Sequence, residues 1–239
     1  MFLPTEVAPG ESIDLTMNFK APIIEGDYRG NWQIRNDKGE MFGTTATANR
    51  PFWVDIRVKT SSFIGTTYDF TANACSAQWT SGSGLLNCPG INNDNNGFVL
   101  RQSIAKLEDG TFRLAPNLLT APQNIFNGYI RGVYPSFMVQ NGDRFRTIVN
   151  CENGATSCGV LFRVDYQLTD GIIREFWAFG EQYEGSYFTV DLDLSPLAGK
   201  DVKFVLTVLS LGSASNDRAL WVEPRITRTI SSATITPTP

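Results

Sequence analysis

The sequence predicts an all-β protein, and three observations favour this class. Only 18% of the 239 residues are charged, while the chain contains 21 glycines and 12 prolines, a composition that suits short strands joined by tight turns. The run VLFRVDYQL alternates with a period of two, which places Val160, Phe162 and Val164 on one face of a strand and Arg163 and Asp165 on the other. No segment has the pattern of a helix longer than about one turn.

The first part of the chain, residues 1–59, predicts at most four short strands. VAPGESIDLTMNFK begins with a Pro-Gly turn and then alternates apolar and polar residues. EGDYRGNWQIRNDKGEMFG follows, and its NDKG segment predicts a hairpin turn in which Gly39 supplies a positive φ. PFWVDIRV, which begins at Pro51, is the last of these strands.

These three segments resemble the C-terminal half of the FW domain. That domain is the four-tryptophan, immunoglobulin-like domain of autophagy cargo receptors and of bacterial surface proteins. The matching features are the PGE turn, the aromatic-x-G-x-W strand and the final FWV strand, and they cover about residues 4–59. The first half of that family, with its other tryptophans, is missing from this sequence. The resemblance therefore implies a partial immunoglobulin-like sandwich, and no cargo-binding role is carried over.

Residues 60–66, TSSFIGT, are predicted to be a linker. A second domain follows at 67–228 with eight or nine strands, including a hairpin at Asp109-Gly110. LSPLAGKD predicts one helical turn with Ser195 as its N-cap. Residues 229–239 are rich in Thr, Ser and Pro and predict an extended linker or tail.

The end of the second domain resembles galactose-binding-like jelly rolls, a superfamily that includes carbohydrate-binding modules. The matching stretches are VDLDLS, PLAGKDVKFVLTV and ALWVEPRI, within residues 140–228. The resemblance implies a jelly-roll-like β-sandwich that follows the partial immunoglobulin-like one. It also implies glycan binding and, because members often hold calcium, a structural calcium ion.

The four cysteines indicate an oxidising compartment. Three pairings are possible, and the two local ones, Cys75–Cys88 and Cys151–Cys158, are favoured because each closes a short loop. The alternative is four buried free thiols in a cytosolic protein. The start of the sequence lacks the basic and apolar regions of a signal peptide, so the extracellular or cell-surface location is inferred from the cysteines.

The composition argues against several classes of function. The chain contains no histidine, which excludes a Ser-His-Asp triad and removes the commonest general base and metal ligand. A net charge of −4 offers no basic surface for nucleic acid. No apolar run is long enough to insert into a membrane. The sequence does not indicate an oligomeric state.

Aromatic residues are the strongest candidates for a binding site, because flat rings with a polar edge suit the stacking of sugars. In IIREFWAF both faces are apolar, which indicates either a strand covered on both sides or a sugar platform. The six candidate ligand-binding residues are Trp79, Tyr129, Arg131, Tyr134, Trp177 and Tyr183. Trp221 is expected in the core.

Acidic and amide residues give weaker signals. Asp191 and Asp193 share one face of a strand, and Glu175, Glu181 and Glu184 form a second cluster; both sets are expected to be solvated surface charge. NNDNNG suggests a calcium site at Asp94 but lacks the spacing of a calcium-binding loop.

The sequence therefore predicts a non-catalytic binding or adhesion segment of a secreted or surface-attached bacterial protein. A carbohydrate is the expected ligand, and no cofactor is expected apart from a structural calcium ion. Two alternatives remain: the two domains are purely structural spacers, or the chain is a glycoside hydrolase or its accessory module.

Overall fold

The computed structural model describes residues 8, 10–14, 16, 18, 20–22, 24–36, 38–43 and 50–237, with the backbone alone for 232–237. The chain divides into two compact units, residues 1–63 with 231–239, and residues 64–230. Within the described residues the regular structure is strand apart from two 3₁₀ turns, Ala74–Ser76 and Ser195–Leu197. The predicted all-β class is confirmed.

The first unit contains a strand pair and a small hairpin. Its strands are β1 (Gly26–Trp32), β2 (Ile34–Arg35), β3 (Met41–Phe42) and the first part of β4 (Phe52–Asp69). β1 pairs antiparallel with β4, and β2 pairs with β3. Gly39 has a φ of 86°, as the predicted NDKG turn requires. Of the strand predicted in VAPGESIDLTMNFK, Leu15, Met17 and Phe19 lie outside the described residues.

The β1–β4 pair carries ion pairs on one side and exposed aromatic rings. Arg29 pairs with Asp55 and Arg57 with Asp27, each at 2.6 Å. Trp53 is 56% exposed, and the Arg29 guanidinium lies 4.7 Å from its ring centroid. Apolar rings of this strand pair are therefore exposed within the described residues.

Both segments that were predicted as linkers are strand in the structure. Residues 60–66 belong to β4, and β17 (Ala219–Pro237) extends through most of the predicted tail. The reason is local: both segments are rich in Thr, Ile and other residues that favour extended backbone, and neither contains a proline before residue 237.

The second unit is a sandwich of two sheets. One sheet has six strands in the order β14-β13-β16-β11-β5-β6. The other has the order β15-β12-β17-β10-β7, and the end of β4 also lies beside β17. The remaining strands of the unit are β5 (Gln78–Ser81), β6 (Gly84–Leu85), β7 (Phe98–Gln102), β8 (Ala105–Lys106), β9 (Phe112–Arg113), β10 (Asn117–Ala121), β11 (Tyr129–Met138), β12 (Arg144–Cys151), β13 (Gly159–Gln167), β14 (Ile173–Gln182), β15 (Phe188–Asp193) and β16 (Asp201–Ser210).

Local signals in this unit were mostly interpreted correctly. The Asp109-Gly110 turn joins β8 to β9, with Gly110 at a φ of 86°. The predicted helical turn is present as Ser195–Leu197, but its N-cap is Leu194, and the Asp193 carboxylate accepts the Ser195 N–H. The described residues of this unit contain thirteen strands from β5 to β17, more than the eight or nine predicted. Three of them, β6, β8 and β9, have only two residues each, which is too short to show alternation.

Aromatic side chains fill the space between the two sheets. Phe162 of β13 meets Trp221 of β17 edge to face at 4.8 Å between ring centroids, and both side chains are fully buried. Phe70 makes similar contacts with Tyr134 at 4.8 Å and with Phe145 at 5.3 Å. Trp221 is thus a core residue, as predicted.

Trp79 packs face-on against the backbone of a neighbouring strand. Its Nε1 donates a 2.7 Å hydrogen bond to the Ala74 carbonyl. The residue directly opposite Trp79 on the neighbouring strand β11 is Gly132. A Cβ at position 132 would lie 2.8 Å from three atoms of the indole ring, closer than van der Waals contact. The absence of a side chain at Gly132 is therefore what allows Trp79 to be buried.

Replacing Gly132 by Ala is expected to destabilise the second unit by about 1–3 kcal/mol, the usual cost of overpacking a core. Gly180→Ala is the matched control, because Gly180 is also a strand glycine but a Cβ at position 180 would meet no atom within 4 Å. The measurement is urea unfolding followed by tryptophan fluorescence. If G132A and wild type unfold at the same urea concentration, the core accommodates a methyl group at position 132 and Trp79 does not require a glycine opposite it.

Candidate functional site

The outward-facing side of the six-stranded sheet carries the candidate site. Along β13, Phe162 and Val164 are buried against the other sheet, while Arg163 and Asp165 point to the opposite face. Along β11, Gly132 faces Trp79 in the core, so Tyr129 and Arg131 lie on the same outer face as Arg163.

Strand register aligns five side chains in one row across this face. In order across the sheet these residues are Thr80 on β5, Arg131 on β11, Thr207 on β16, Arg163 on β13 and Ala178 on β14. Each is the register partner of the next. We call these five residues the arginine row. Because adjacent strands are about 4.8 Å apart, the backbones of Arg131 and Arg163 are about 10 Å apart.

Arg163 is held by a network of acidic and hydroxyl groups. Its guanidinium pairs with Asp165 at 2.7 Å and with Glu175 at 3.4 Å. The Thr207 hydroxyl donates to the other oxygen of Asp165 at 3.2 Å. Asp165 and Thr207 are each only 1% exposed, so this network forms a rigid polar floor beneath the side chain of Arg163.

Arg131 is held in a different way. Its guanidinium carbon lies 5.5 Å from the centroid of the Tyr129 ring, within the range of a cation–π contact. Its Nε is buried and has no hydrogen-bond acceptor. Among the described residues no carboxylate lies within 4 Å of this guanidinium.

The outer face therefore presents the guanidinium groups of Arg131 and Arg163, the exposed carboxylate of Glu175 and the half-buried ring of Tyr129. Such a set can donate and accept hydrogen bonds from a polyhydroxylated molecule while the ring contacts its apolar side. All of these groups lie on strands, which hold them more firmly than loops would.

Only two of the six predicted binding residues, Tyr129 and Arg131, lie on this face. Trp79 and Tyr134 are each 1% exposed and belong to the core, so they cannot form a sugar platform. Burial raises the pKa of the Tyr134 phenol well above its ordinary value. Tyr183 is half-buried, and its hydroxyl accepts the Gly154 N–H at 3.2 Å.

The fourth case, Trp177, is explained by a β-bulge. The pairing of β13 with β14 shifts between Val164↔Trp177 and Asp165↔Glu175, which leaves Phe176 as an extra residue. As a result, Trp177 stacks with Phe179 at 5.9 Å and Phe176 meets Tyr166 at 6.2 Å, all packed against the core. The bulge and this packing account for apolar residues on both faces of IIREFWAF, and sugar binding by the half-buried Trp177 stays a prediction.

Asp94 lines a pocket of about 200 Å³ at one end of the second unit, together with Asn93, Asn95, Asn124 and Asp217 among others. The Asp94 carboxylate accepts the Asn96 N–H at 2.9 Å. The side-chain oxygens of Asn92 and Asn93 accept hydrogen bonds from Arg218, each at 3.0 Å. A guanidinium thus uses two oxygens that a cation would need, and calcium at Asp94 stays a prediction.

The acidic residues singled out in the sequence have structural partners. Asp191 pairs with Arg144 at 2.6 Å and with Arg146 at 3.2 Å. Burial alone would raise the pKa of Asp191, but these two guanidinium groups hold it below its ordinary value. The expectation that Glu181 is surface charge is wrong, because it is 1% exposed.

Glu181 faces Glu108, which reaches it from the β8–β9 hairpin. Their carboxylate oxygens lie within 4.8 Å of each other and of the Cys151 sulfur. Glu108 accepts hydrogen bonds from the backbone N–H groups of Glu184, Gly185 and Cys151. Burial, and then Glu108, raise the pKa of Glu181 to about 8, so Glu181 is protonated at neutral pH. Both carboxyls are nearly inaccessible, which makes the pair unsuited to attack a glycosidic bond.

Both favoured disulfides, Cys75–Cys88 and Cys151–Cys158, are present, and no cysteine is free. The second one closes the loop beside the Glu108–Glu181 pair. No helix in the described part of the chain is long and apolar enough to cross a membrane.

Comparison with known proteins gives an immunoglobulin-like match for the first unit. The family model described as "Ig-like domain from next to BRCA1 gene" matches residues 1–58. The immunoglobulin-like resemblance is thereby supported, and the narrower identification as an FW domain stays a prediction. No curated protein matches the chain.

Among solved structures, similar folds include carbohydrate-binding modules. A family 51 module from Clostridium perfringens, solved with methyl-galactose, is 13% identical, covers 70% of this chain and 99% of its own, and has a TM-score of 0.40. A carbohydrate-binding module of the β-sandwich superfamily is 11% identical, with coverage of 87% and 75% and a TM-score of 0.39. A family 61 module, solved with β-1,4-galactotriose, is 8% identical, with coverage of 71% and 94% and a TM-score of 0.38.

The free energy of unfolding is expected to fall as the pH rises from about 4.5 to about 8. The pKa of Glu181 is raised in the folded protein, so the folded state binds the carboxyl proton of Glu181 more tightly than the unfolded chain does. Glu181→Gln should remove most of this loss, since an amide of similar size does not titrate. Glu175→Gln is the matched control, because Glu175 lies on the same strand but its side chain is 53% exposed. The free energy of unfolding of this variant should fall over the same pH range as that of wild type. Urea unfolding at about pH 5, 7 and 9 measures the free energy of unfolding of each variant. If this free energy falls as steeply with pH in E181Q as in wild type, Glu181 does not cause the fall.

Proposed function

We propose that the second unit is a non-catalytic glycan-binding module within a secreted or surface-attached bacterial protein. The observation that carries the proposal is the arginine row with Tyr129 beside it. Sugars offer many hydroxyl groups that both donate and accept hydrogen bonds, together with apolar C–H faces. The outer face supplies donors from Arg131 and Arg163, an acceptor from the exposed carboxylate of Glu175, and a ring from Tyr129.

The length of the arginine row favours an extended polysaccharide over a single small sugar. The row crosses five strands from β5 to β14, so the binding surface is long in one direction. Successive sugar residues would lie along it, each contacting a different strand. The two disulfides support an oxidising, extracellular location, where such polymers occur.

The bacterial part of the proposal depends on the immunoglobulin-like resemblance of residues 4–59, because that resemblance includes bacterial surface proteins. The first unit would then connect the glycan-binding module to the rest of a surface protein.

A purely structural spacer is the second candidate, and the burial of Trp79 and Tyr134 favours it, since two of the predicted sugar-stacking rings are core residues. The two candidates differ in one respect. A spacer requires no exposed ring or unpaired cation on the outer face, whereas a glycan-binding module depends on both.

The first test is affinity gel electrophoresis of the full chain in gels that contain soluble polysaccharides of plant, algal and bacterial origin. Wild type should be retarded by at least one polymer. Tyr129→Ala should weaken that binding about tenfold through loss of the ring contact. Tyr187→Ala is the matched control, because Tyr187 is a half-buried tyrosine with an arginine, Arg113, 5.7 Å from its ring, but it does not lie on the six-stranded sheet.

Retention of full affinity by Y129A, or equal loss in Y187A, would contradict placement of the site on the outer face. Migration of wild type unaffected by every polymer would favour the spacer.

A further inference from the structure

The charged side chains on the outer face differ in whether they have a partner. By strand alternation Arg131, Arg163 and Lys203 lie on this face together with the carboxylates of Asp165, Glu175 and Asp201, so its formal charges balance. A guanidinium that no carboxylate of its own face neutralises attracts an anionic group locally.

Arg131 is the arginine of this face that lacks a carboxylate partner among the described residues. Arg163 is neutralised, because it pairs with Asp165 at 2.7 Å and with Glu175 at 3.4 Å. Arg131 has no such partner within the described residues, and its buried Nε lacks any acceptor. A half-buried guanidinium without a counter-ion is costly, which is why such groups are normally paired.

The position of Arg131 is nevertheless fixed. Its guanidinium lies 5.5 Å from the Tyr129 ring centroid, and Thr80 and Thr207 flank it across the sheet. The planar group is therefore held before any ligand arrives. Fixed guanidinium groups recognise carboxylate and sulfate groups by paired hydrogen bonds, which are stronger than hydrogen bonds to neutral hydroxyls.

We infer, building on the glycan-binding function proposed above, that the ligand of the outer face is an anionic polysaccharide whose acid group pairs with Arg131. The acid group is a carboxylate, as in a uronic acid polymer, or a sulfate ester. Neighbouring sugar residues contact Arg163 and its partner Glu175 through their hydroxyl groups.

The test uses two pairs of polymers that differ only in charge. Polygalacturonate is compared with its carboxyl-reduced, neutral form, and dextran sulfate with dextran, in affinity gels at low salt. Wild type should bind at least one charged polymer about tenfold more tightly than its neutral counterpart. The preferred pair identifies the acid group as carboxylate or sulfate. The preference should decrease as salt screens the charges.

Three variants locate the effect. Arg131→Gln should abolish the preference for the charged polymer, while Arg131→Lys should keep part of it because the charge remains. Arg113→Gln is the matched control, since Arg113 also lies near a tyrosine ring, at 5.7 Å, but away from the outer face. Thermal unfolding of each variant shows whether it is folded; if R131Q is unfolded, R131K compared with wild type still reports the loss of the planar group.

The outcomes separate the two proposals. A charge preference that R131Q retains, or equal binding of charged and neutral members of both pairs, overturns the anionic ligand and leaves glycan binding intact. Absence of binding to these four polymers and to the wider polysaccharide panel overturns both.

Discussion

The contact between the rings of Phe162 and Trp221 determines which side of the six-stranded sheet faces outward. The two side chains come from opposite sheets and are fully buried against each other. Because side chains alternate along a strand, burial of Phe162 forces Arg163 and Asp165 onto the other face. A shift of one residue in the register of β13 would bury Arg163 and expose the phenylalanine. The core and the candidate site are therefore specified by the same alternation.

The candidate site is built from separate strands that register brings together. Arg131 and Arg163 come from β11 and β13, and β16 between them contributes Thr207. Each arginine is held by a different device: Arg163 by buried acceptors, and Arg131 by an aromatic ring. The ion pairs of Arg163 neutralise its charge, whereas the Tyr129 ring leaves the charge of Arg131 in place. A single face therefore offers both neutral polar and charged contacts to a polymer.

Local signals in the sequence predicted much of the fold. Alternation identified the buried face of β13, the glycine turns at Gly39 and Gly110 were correct, and short spacing favoured the right cysteine pairs. Aromatic residues were a poorer guide, because a ring has the same identity in a core and on a surface. Trp79 is buried only because Gly132 lies opposite it on another strand, and Trp177 faces inward because of a bulge. The Glu108–Glu181 pair joins distant parts of the chain, and no local pattern could indicate it.

The most direct test is a crystal structure of the full chain with an oligosaccharide prepared from a polymer that it binds. The sugar is expected on the outer face of the six-stranded sheet, with hydrogen bonds to Arg131 or Arg163 and contact with the Tyr129 ring. A sugar bound instead in the pocket at Asp94 and Asn124, with the outer face unoccupied, would contradict the assignment of the site.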